Sequence, residues 1–386
     1  MSPQPSAVPL RIGLVIDDSL DRPDGVQQYV LTLGTWLTAQ GHHVSYLAPS
    51  TARTDLPHLA VMGRSVQVRF NGNRLCTPLP ARPRLLRALL DTHRLDVINV
   101  TMPYSPFMSG RLVARAAATT AVVGTFLILP ASAAVEQAAR GLGLLQRRRL
   151  RRFDRVFSVS APAQEFARRA FGLESDVVPI PVDIGAFGPP PSAVAQDPPS
   201  AVHIVFLGRL VERKGPAQLL AALAALRDRG PTSPFRVTIA GRGPLAVALE
   251  QQAASLGLAD LVDFTGYVAE EDKAALLASG DLVVLPSTGG ESFGISVVEA
   301  LAAARGAVLV GDNPGYATVM GELADQLVDP TDTAAFASAL ARFVDDPELR
   351  RRSGERQRAL AWQYDIDTVG PRIVEAYRQA VADRRS

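Results

Sequence analysis

Apolar residues fall in short runs separated by glycine-rich and polar loops, and the runs alternate between two periods. Residues 10–16, Leu-Arg-Ile-Gly-Leu-Val-Ile, form a nearly continuous apolar run, the mark of a strand buried on both faces of a parallel sheet. A polar loop with four aspartates, Asp17, Asp18, Asp21 and Asp24, then leads to Gly25. Residues 26–39 repeat apolar positions at helical spacing, Val26, Tyr29, Val30, Leu33 and Leu37, until Gly41 ends the pattern and 43–48 reads as the next strand. The chain thus opens strand, glycine loop, helix, strand. After a less regular stretch that includes 65–73, the alternation predicts helices over 84–93, 107–117 and 162–171, and strands over 96–100, 121–129 and 156–160.

Residues 183–200 are rich in proline and small residues and read as a linker, because they cannot build a core element. A second series follows. Its strands fall at 201–207, 236–240, 262–264, 282–285 and 307–310, and its helices at 218–227, 246–256, 273–279 and 292–303. Both halves therefore read as doubly wound α/β domains, and such sheets bind ligands outside the carboxyl ends of their strands, so two of them are expected to face each other across a cleft. No Gly-x-Gly-x-x-Gly follows the first strand. Gly141-Leu-Gly143 lies within a helical pattern with Gln146 where the third glycine would stand, which disfavours a dinucleotide dehydrogenase.

Composition narrows the function classes. A chain of 386 residues exceeds the size at which single cores stop growing, so two domains are expected. With 40 basic against 38 acidic residues no global field favours nucleic acid. Lys214 and Lys273 are the only lysines, and Cys76 the only cysteine. A lone cysteine excludes a disulfide framework or a cysteine metal site within one chain and fits a reducing cytoplasm. Residues 1–9 lack the basic and apolar regions of a signal peptide. The uncharged run 116–135 is broken by Thr119, Thr120, Gly124 and Pro130, and reads as helix end, strand and loop rather than a membrane span.

Candidate chemistry collects at loop ends. In 285–300 a strand ends, a loop holds Gly289, Gly290 and Glu291, and a helix is expected to open near Ser292. The first amides, at Phe293, Gly294 and Ile295, would face a phosphate, and Glu299 would lie about two turns inside the helix, ~10 Å further on. Glu291 then suits sugar hydroxyls and Glu299 a ribose diol, since ionised glutamate is an acceptor only. The competing reading makes Glu291 a complement to the helix dipole and Glu299 a solvated residue. Gly208, Arg209, Lys214 and Gly215 follow another strand and read either as a diphosphate cradle or as exposed loop cations. Gly241-Arg242-Gly243 and Gly266-Tyr267-Val268 either frame a base or are plain turns.

Two further features stay open between function and surface. Arg140, Arg147, Arg148, Arg149, Arg151, Arg152 and Arg155 interleave with Leu142, Leu145, Leu150 and Phe153, either as a helix lying on an anionic membrane or as a solvated face packed on the sheet by its leucines. The loop aspartates are commonplace for local backbone bonding, and their spacing does not guarantee an oxygen cage, so no metal is assigned.

Pro23-Asp24-Gly25-Val26-Gln27, Gly41-His42-His43-Val44, the 208–215 loop, Gly241-Arg242-Gly243, and Gly289-Gly-Glu-Ser-Phe-Gly294 with Glu299 together resemble the retaining GT-B glycosyltransferases that carry Glu-x7-Glu. Among these the chain is most similar to the bacterial phosphatidylinositol mannosyltransferases, over nearly its whole length. The resemblance implies two Rossmann-like domains, 1–182 joined by 366–386, and 183–365. It implies that Gly25 approaches the diphosphate with Gln27 among the substrate contacts, that Arg209 and Lys214 bind the diphosphate, and that Glu291 holds the donor sugar and Glu299 the ribose. Gly241, Tyr267, Val268, Phe293, Gly294 and Ile295 complete the donor site, which needs no metal or other cofactor. Phe70-Asn71-Gly72-Asn73-Arg74 is similar to the acceptor loop, which assigns Asn71 and Arg74 to the acceptor, and the arginine helix matches the membrane contact. The implied reaction is transfer of a sugar, mannose from GDP-mannose, to a lipid or lipid-linked acceptor by a cytoplasmic, peripheral enzyme on the inner face of the cell membrane.

The chain also departs from that pattern. Leu127 occupies the position that the resemblance places beside the donor sugar, which makes it a substrate-contact position where a histidine is usual; Asn99 likewise stands where a histidine is usual, Met102 replaces a common acidic residue, and Pro181-Val182-Asp183 lacks the usual Asn-Gly before its valine. Leucine neither donates nor accepts a hydrogen bond. A second reading is therefore a nucleotide-sugar-binding protein with weak or no turnover, and a third is a peripheral membrane protein that uses the arginine helix alone.

Overall fold

The computed structural model describes residues 8–21, 24–63, 65–70, 73–78, 83–130, 132–188 and 201–386, with the backbone alone over 67–70 and 73–78. The chain divides into two units, Met1–Pro181 with Ile366–Ser386, and Val182–Asp365. The first unit holds strands β1 (Arg11–Val15), β2 (His43–Ala48), β3 (Leu59–Val61), β4 (Ser65–Phe70), β5 (Asn73–Pro78), β6 (Val97–Val100), β7 (Ala121–Phe126), β8 (Arg155–Ser158) and β9 (Asp176–Val177). Helices α1 (Gly25–Ala39), α2 (Pro83–His93), α3 (Met108–Val113), α4 (Ala133–Leu150) and α5 (Ala161–Phe171) alternate with them. Seven strands form one parallel sheet in the order β3-β2-β1-β6-β7-β8-β9, and every residue of β6 and β7 is buried, as a sheet covered on both faces requires. Of the stretch expected to be irregular, 65–73, the described residues Ser65–Phe70 and Asn73 instead belong to an antiparallel ribbon of β4 and β5, with Val66 opposite Thr77.

The second unit repeats the plan. Its strands are β10 (Val202–Leu207), β11 (Phe235–Ala240), β12 (Val262–Gly266), β13 (Leu282–Leu285), β14 (Ala307–Gly311) and β15 (Leu327–Val328), in the parallel order β12-β11-β10-β13-β14-β15. Its helices are α6 (Pro216–Asp228), α7 (Ala246–Ser255), α8 (Lys273–Ser279), α9 (Ile295–Ala303), α10 (Pro314–Met320), α11 (Thr333–Asp345) and α12 (Pro347–Ala361). Ile204, Phe206, Leu223, Leu282 and Leu309 lie at the centre of its core. The predicted linker 183–200 is folded at its start: Ile184 is buried in a short helical turn, Ile184–Phe187, and its amide donates to Asp365 at 3.1 Å. Residues 189–200 lie outside the described residues.

One device recurs in both sheets. Asp96, just before β6, accepts the amide of Arg11 at 2.9 Å; Asp154, before β8, accepts that of Val122 at 2.8 Å; Asp281, before β13, accepts that of His203 at 2.9 Å. Each aspartate thus caps an amide at the start of the neighbouring strand and fixes its register. The last helix, α13 (Ile366–Arg385), belongs to the first unit, where Arg385 pairs with Asp96 at 2.8 Å and Arg384 with Asp154 at 2.6 Å. Burial pushes the Asp96 carboxyl up, but its bonds to Arg11 outweigh this and leave its pKa below the usual value.

Helix α4 turns its leucines differently from expectation. Its buried face carries Gly143, Gln146 and Leu150, because a Cβ at position 143 would meet the carbonyl of Ala170 at 2.2 Å and only glycine lets α5 approach. Leu142 is half-buried, while Leu145 points outward at 84% exposure beside Leu144 at 75%. The reading in which Leu145 packs the helix onto the sheet is therefore corrected.

Candidate functional site

In the second unit the strand order reverses at the β10–β13 pair, the place where doubly wound sheets open a crevice. The loops leaving these strands are joined there. The Ser287 hydroxyl and the Thr288 amide both donate to the carbonyl of Arg213, at 2.8 and 2.9 Å. This holds 208–215 against 286–291 and brings two cations to one carboxylate. Glu291 accepts from the Arg213 guanidinium, from Lys214 Nζ at 2.9 Å and from the Ser287 hydroxyl at 3.1 Å. Lys214 also donates to the Tyr316 hydroxyl at 3.2 Å.

Burial opposes charge on both partners, and the pairing wins. It pushes the Glu291 carboxyl up, but Lys214 and then Arg213 outweigh it and hold the pKa below the usual carboxylate value. Burial likewise pulls the Lys214 ammonium down, and Glu291 more than restores it, so its pKa ends above the ordinary lysine value. Two cations against one carboxylate leave one net positive charge at the mouth of the crevice, the sign that receives a diphosphate.

A second ion pair lies one helix away. Lys273, the first residue of α8, stands 2.8 Å from Glu299 and 2.6 Å from Glu270. Glu299 is buried at 4% exposure on α9, a helix with no other charged residue, so the solvated-residue reading does not hold. A buried carboxylate is costly unless paired, and burial combined with a specific charge partner in a crevice marks candidate functional residues.

The helix start differs from the sequence reading. Helix α9 begins at Ile295, not near Ser292, because its N-cap Gly294 has φ +156°, and a Cβ there would come within 2.8 Å of the Tyr316 ring. The Val297 and Val298 amides donate back to the Gly294 carbonyl, at 2.9 and 3.0 Å, so Ile295 and Ser296 head the turn. Glu299 is consequently the fifth helical residue, ~6 Å along the axis rather than two turns in. Phe293 is buried edge-on against Tyr364, ring centroids 5.5 Å apart, so its ring belongs to the core and only its backbone lies on the loop.

Around this centre three glycine loops stack. Gly241 has φ +146°, and a Cβ there would fall 1.8 Å from the Gly208 carbonyl. Its amide donates to the Gly266 carbonyl at 2.6 Å, so the turns after β10, β11 and β12 lie side by side. Beyond them the exposed Tyr267 ring receives the Arg242 guanidinium 5.3 Å from its centroid, with Val268 half-buried next to it. Arg209 is half-buried at the start of the 208–215 loop, while the cation that joins Lys214 on Glu291 is Arg213. Arg213, Ser287, Tyr316 and the Lys273 pairing were not legible in the sequence. Adjacency to Lys214 was the one signal for Arg213, and Tyr316 had none.

The first unit carries the remaining predicted residues. Gly25 is the first residue of α1, and the buried Gln27 donates to the Ser19 carbonyl at 3.0 Å, tying the helix to the aspartate loop. Leu127 is buried directly after β7. Asn71 lies outside the described residues, and Arg74 lies on β5, where the backbone alone is described. Asn99 is a structural residue: it donates to the Tyr29 and Tyr377 hydroxyls and accepts from Thr125 at 2.9 Å, a buried network that ties α1 and α13 to β6 and β7. Asp17 accepts from the Ser105 and Ser109 hydroxyls and the Ser109 amide, and Asp21 from Ser19, Thr51 and the Ala52 amide, so these aspartates hold loops together. Among the described residues no group of three or more His, Cys, Asp or Glu is placed to hold a metal ion, and no helix is long and apolar enough to cross a membrane.

Comparison with known proteins adds to this geometry. Residues 195–360 match the family Glycosyl transferases group 1, and residues 23–185 match Glycosyltransferase Family 4. The chain is 33% identical over 372 residues to a phosphatidyl-myo-inositol mannosyltransferase of Mycolicibacterium smegmatis, covering 95% of this chain and 93% of the relative. It is 33% identical over 378 residues to the Mycobacterium tuberculosis protein of that description, covering 95% and 96%. In fold it is similar to a sucrose-phosphate synthase from Thermosynechococcus elongatus, with TM-score 0.74 and 21% identity over 96% of this chain and 99% of that one.

Proposed function

The chain belongs to the GT-B glycosyltransferase family that includes the phosphatidyl-myo-inositol mannosyltransferases, and from that premise we propose that it moves mannose from GDP-mannose to a lipid-linked acceptor. The reaction retains configuration, needs no metal or other cofactor, and takes place at the cytoplasmic membrane face, on an anionic surface. The observation that carries this reading is the cation pair on Glu291, since Arg213 and Lys214 present a net positive site at the β10–β13 crevice.

In the proposed step the acceptor hydroxyl oxygen bonds to the anomeric carbon on the face from which the diphosphate departs. The bond from that carbon to the phosphate oxygen breaks, and the hydroxyl proton passes to the departing phosphate. Arg209 and Lys214, with Arg213, hold the charge that builds on the diphosphate. Glu291 accepts from sugar hydroxyls and Glu299 from the ribose diol. Gly25 lets backbone approach the donor, and Gln27 contacts substrate.

The test is donor turnover. Glu291→Ala, Arg209→Ala and Lys214→Ala are each expected to lower it by about 10²–10³-fold, the scale on which removing a preorganised charge partner acts. Unchanged rates would remove the assignment. A thermal-shift panel of GDP-, UDP- and ADP-sugars reads the base directly, because a ligand that binds only the folded state raises its apparent stability.

A second reading rests on Leu127, buried and apolar directly after β7. It makes the protein a nucleotide-sugar binder with weak turnover, and predicts donor binding without transfer and activity gained in Leu127→His. Ordinary turnover by the unmodified chain rejects it.

A further inference from the structure

Three donors converge on one oxygen of Glu291. The Arg213 guanidinium, Lys214 Nζ at 2.9 Å and the Ser287 hydroxyl at 3.1 Å all reach Oε1. A carboxylate oxygen offers about two lone-pair sites, so these donors share what Oε1 has, and the sugar hydroxyls assigned to Glu291 compete with them. Lys214 is a donor with a second anchor. Its ammonium also donates to the Tyr316 hydroxyl at 3.2 Å and stands 5.7 Å from the centroid of that ring. With two of the three N–H groups of the ammonium directed inward, tetrahedral geometry fixes where the third points.

Tyr316 is fixed from several sides. It is 1% exposed, against 16% for the Lys214 side chain above it, so a ligand in the crevice reaches the lysine and not the tyrosine. Asn313 caps α10 by accepting the Tyr316 amide at 3.1 Å, and its own side-chain amide donates to the Ser287 carbonyl at 3.0 Å, which ties the first turn of α10 to the loop that carries Glu291. A Cβ at Gly315 would fall 2.2 Å from the Glu291 carbonyl, so the two backbones touch there. On its other side the ring packs against Gly294, and its hydroxyl shares a hydrogen bond with the Ser296 side chain at the head of α9. A phenylalanine would fill the same space beneath the ammonium, so the hydroxyl is the part that ties the ring to Lys214. Buried as it is, that hydroxyl would be costly without its partners.

We infer that Tyr316 is a positioning residue of the donor site: its hydroxyl keeps the Lys214 ammonium in place when Glu291 turns to the sugar, with the third N–H directed at the departing diphosphate. The inference rests on the proposed function and deepens it, by giving Lys214 an anchor for which the sugar does not compete. Tyr316 touches no reacting atom and acts through Lys214.

The experiment is a double-variant cycle on the full chain, read as release of GDP from GDP-mannose by wild type, Tyr316→Phe, Lys214→Ala and the two changes combined. Tyr316→Phe is expected to lower kcat by about tenfold, the scale of one hydrogen bond to a charged group, and to leave KM for GDP-mannose within about twofold, because the anchor matters most once charge builds on the diphosphate. On the Lys214→Ala background the same change is expected to alter kcat by less than about twofold. Equal losses on both backgrounds would overturn the inference, since a hydroxyl with a merely structural role costs the same with or without the lysine. Ser296→Ala removes the other partner of the hydroxyl and is expected to cost less than Tyr316→Phe. An equal or larger loss would show that the hydroxyl serves α9 instead, and would overturn the inference as well. Melting temperatures matching wild type are expected for Tyr316→Phe and Ser296→Ala; a Tyr316→Phe chain that does not fold would make the hydroxyl a structural group, again against the inference. A wild-type chain that turns over none of the GDP-, UDP- and ADP-sugars removes the donor assignment and the inference with it, a result distinct from wild-type turnover that Tyr316→Phe leaves unchanged, which overturns the inference alone.

Discussion

Lys273 stands 2.8 Å from Glu299, the one charged residue of α9, and the chain's other lysine, Lys214, stands 2.9 Å from Glu291. Both lysines of an otherwise arginine-based protein are therefore spent on the two glutamates of one loop and helix. A compact ammonium suits such a place, because it presents one point charge to a buried carboxylate without the bulk of a planar fork.

Breaking the first of these pairs leaves a buried charge alone. Lys273→Met is expected to destabilise the chain by about 3 kcal/mol, and the double variant Lys273→Met/Glu299→Gln to recover part of that loss. Urea unfolding of the wild type, both single variants and the double variant gives the coupling. A Lys273→Met variant as stable as wild type would contradict the pairing.

The second pair carries a pH signature. The Glu291 carboxyl is held below its usual pKa by Lys214 and Arg213 despite burial, so its contribution is fully present above the ordinary glutamate value and fades as pH falls through the folded one. Lys214 is raised by Glu291, so its contribution is present below the ordinary lysine value and fades as pH rises through the folded one. The stability difference between wild type and Glu291→Gln should be flat across neutral pH and shrink on acidification below the ordinary glutamate range. Melting curves against pH read it, and a difference that grows in acid would contradict the signs.

Much of the fold was legible because strand and helix periods differ so plainly here. The apolar runs at 10–16 and 202–207 and the glycine loops after them located the parallel strands and the crevice of the second unit. Side-chain partnerships were less legible, since they depend on which loops meet. Nothing in the sequence distinguishes Arg213 from any loop arginine beside Lys214, because its place depends on the Ser287 and Thr288 bonds that fix its loop. The helix starts three residues later than the sequence suggests, because nothing in the sequence says that Tyr316 fills the space a Cβ at Gly294 would need. Asn99 looked like a lost histidine, whereas its partners come from residues 29, 125 and 377, far apart along the chain.

That network is itself testable. Asn99→Leu removes the donor and acceptor that serve Tyr29, Thr125 and Tyr377 and leaves buried hydroxyls short of partners, a cost of about 1–3 kcal/mol. Tyr377→Phe should cost less, about 1 kcal/mol, since it removes one bond and leaves Asn99 its others. Denaturant midpoints decide, and an Asn99→Leu variant at least as stable as wild type would reject the network.

Gly241→Ala should be destabilising and should impair donor binding together. The backbone there is in a conformation that L side chains rarely adopt, and the new methyl would meet the Gly208 carbonyl. Melting temperature and the GDP-mannose thermal shift are both expected to fall. Normal values for both would mean that the three stacked turns do not shape the site.

Release of GDP from GDP-mannose, followed with and without vesicles that contain phosphatidylinositol, bears on the whole assignment when wild type and Lys214→Ala are run side by side. Wild type is expected to release GDP faster with vesicles present, with radiolabelled mannose appearing in the lipid fraction, and Lys214→Ala to lose about 10²–10³-fold of that rate while remaining folded. A folded Lys214→Ala chain that transfers mannose as fast as wild type, or a wild-type chain that releases no GDP under either condition, would contradict it.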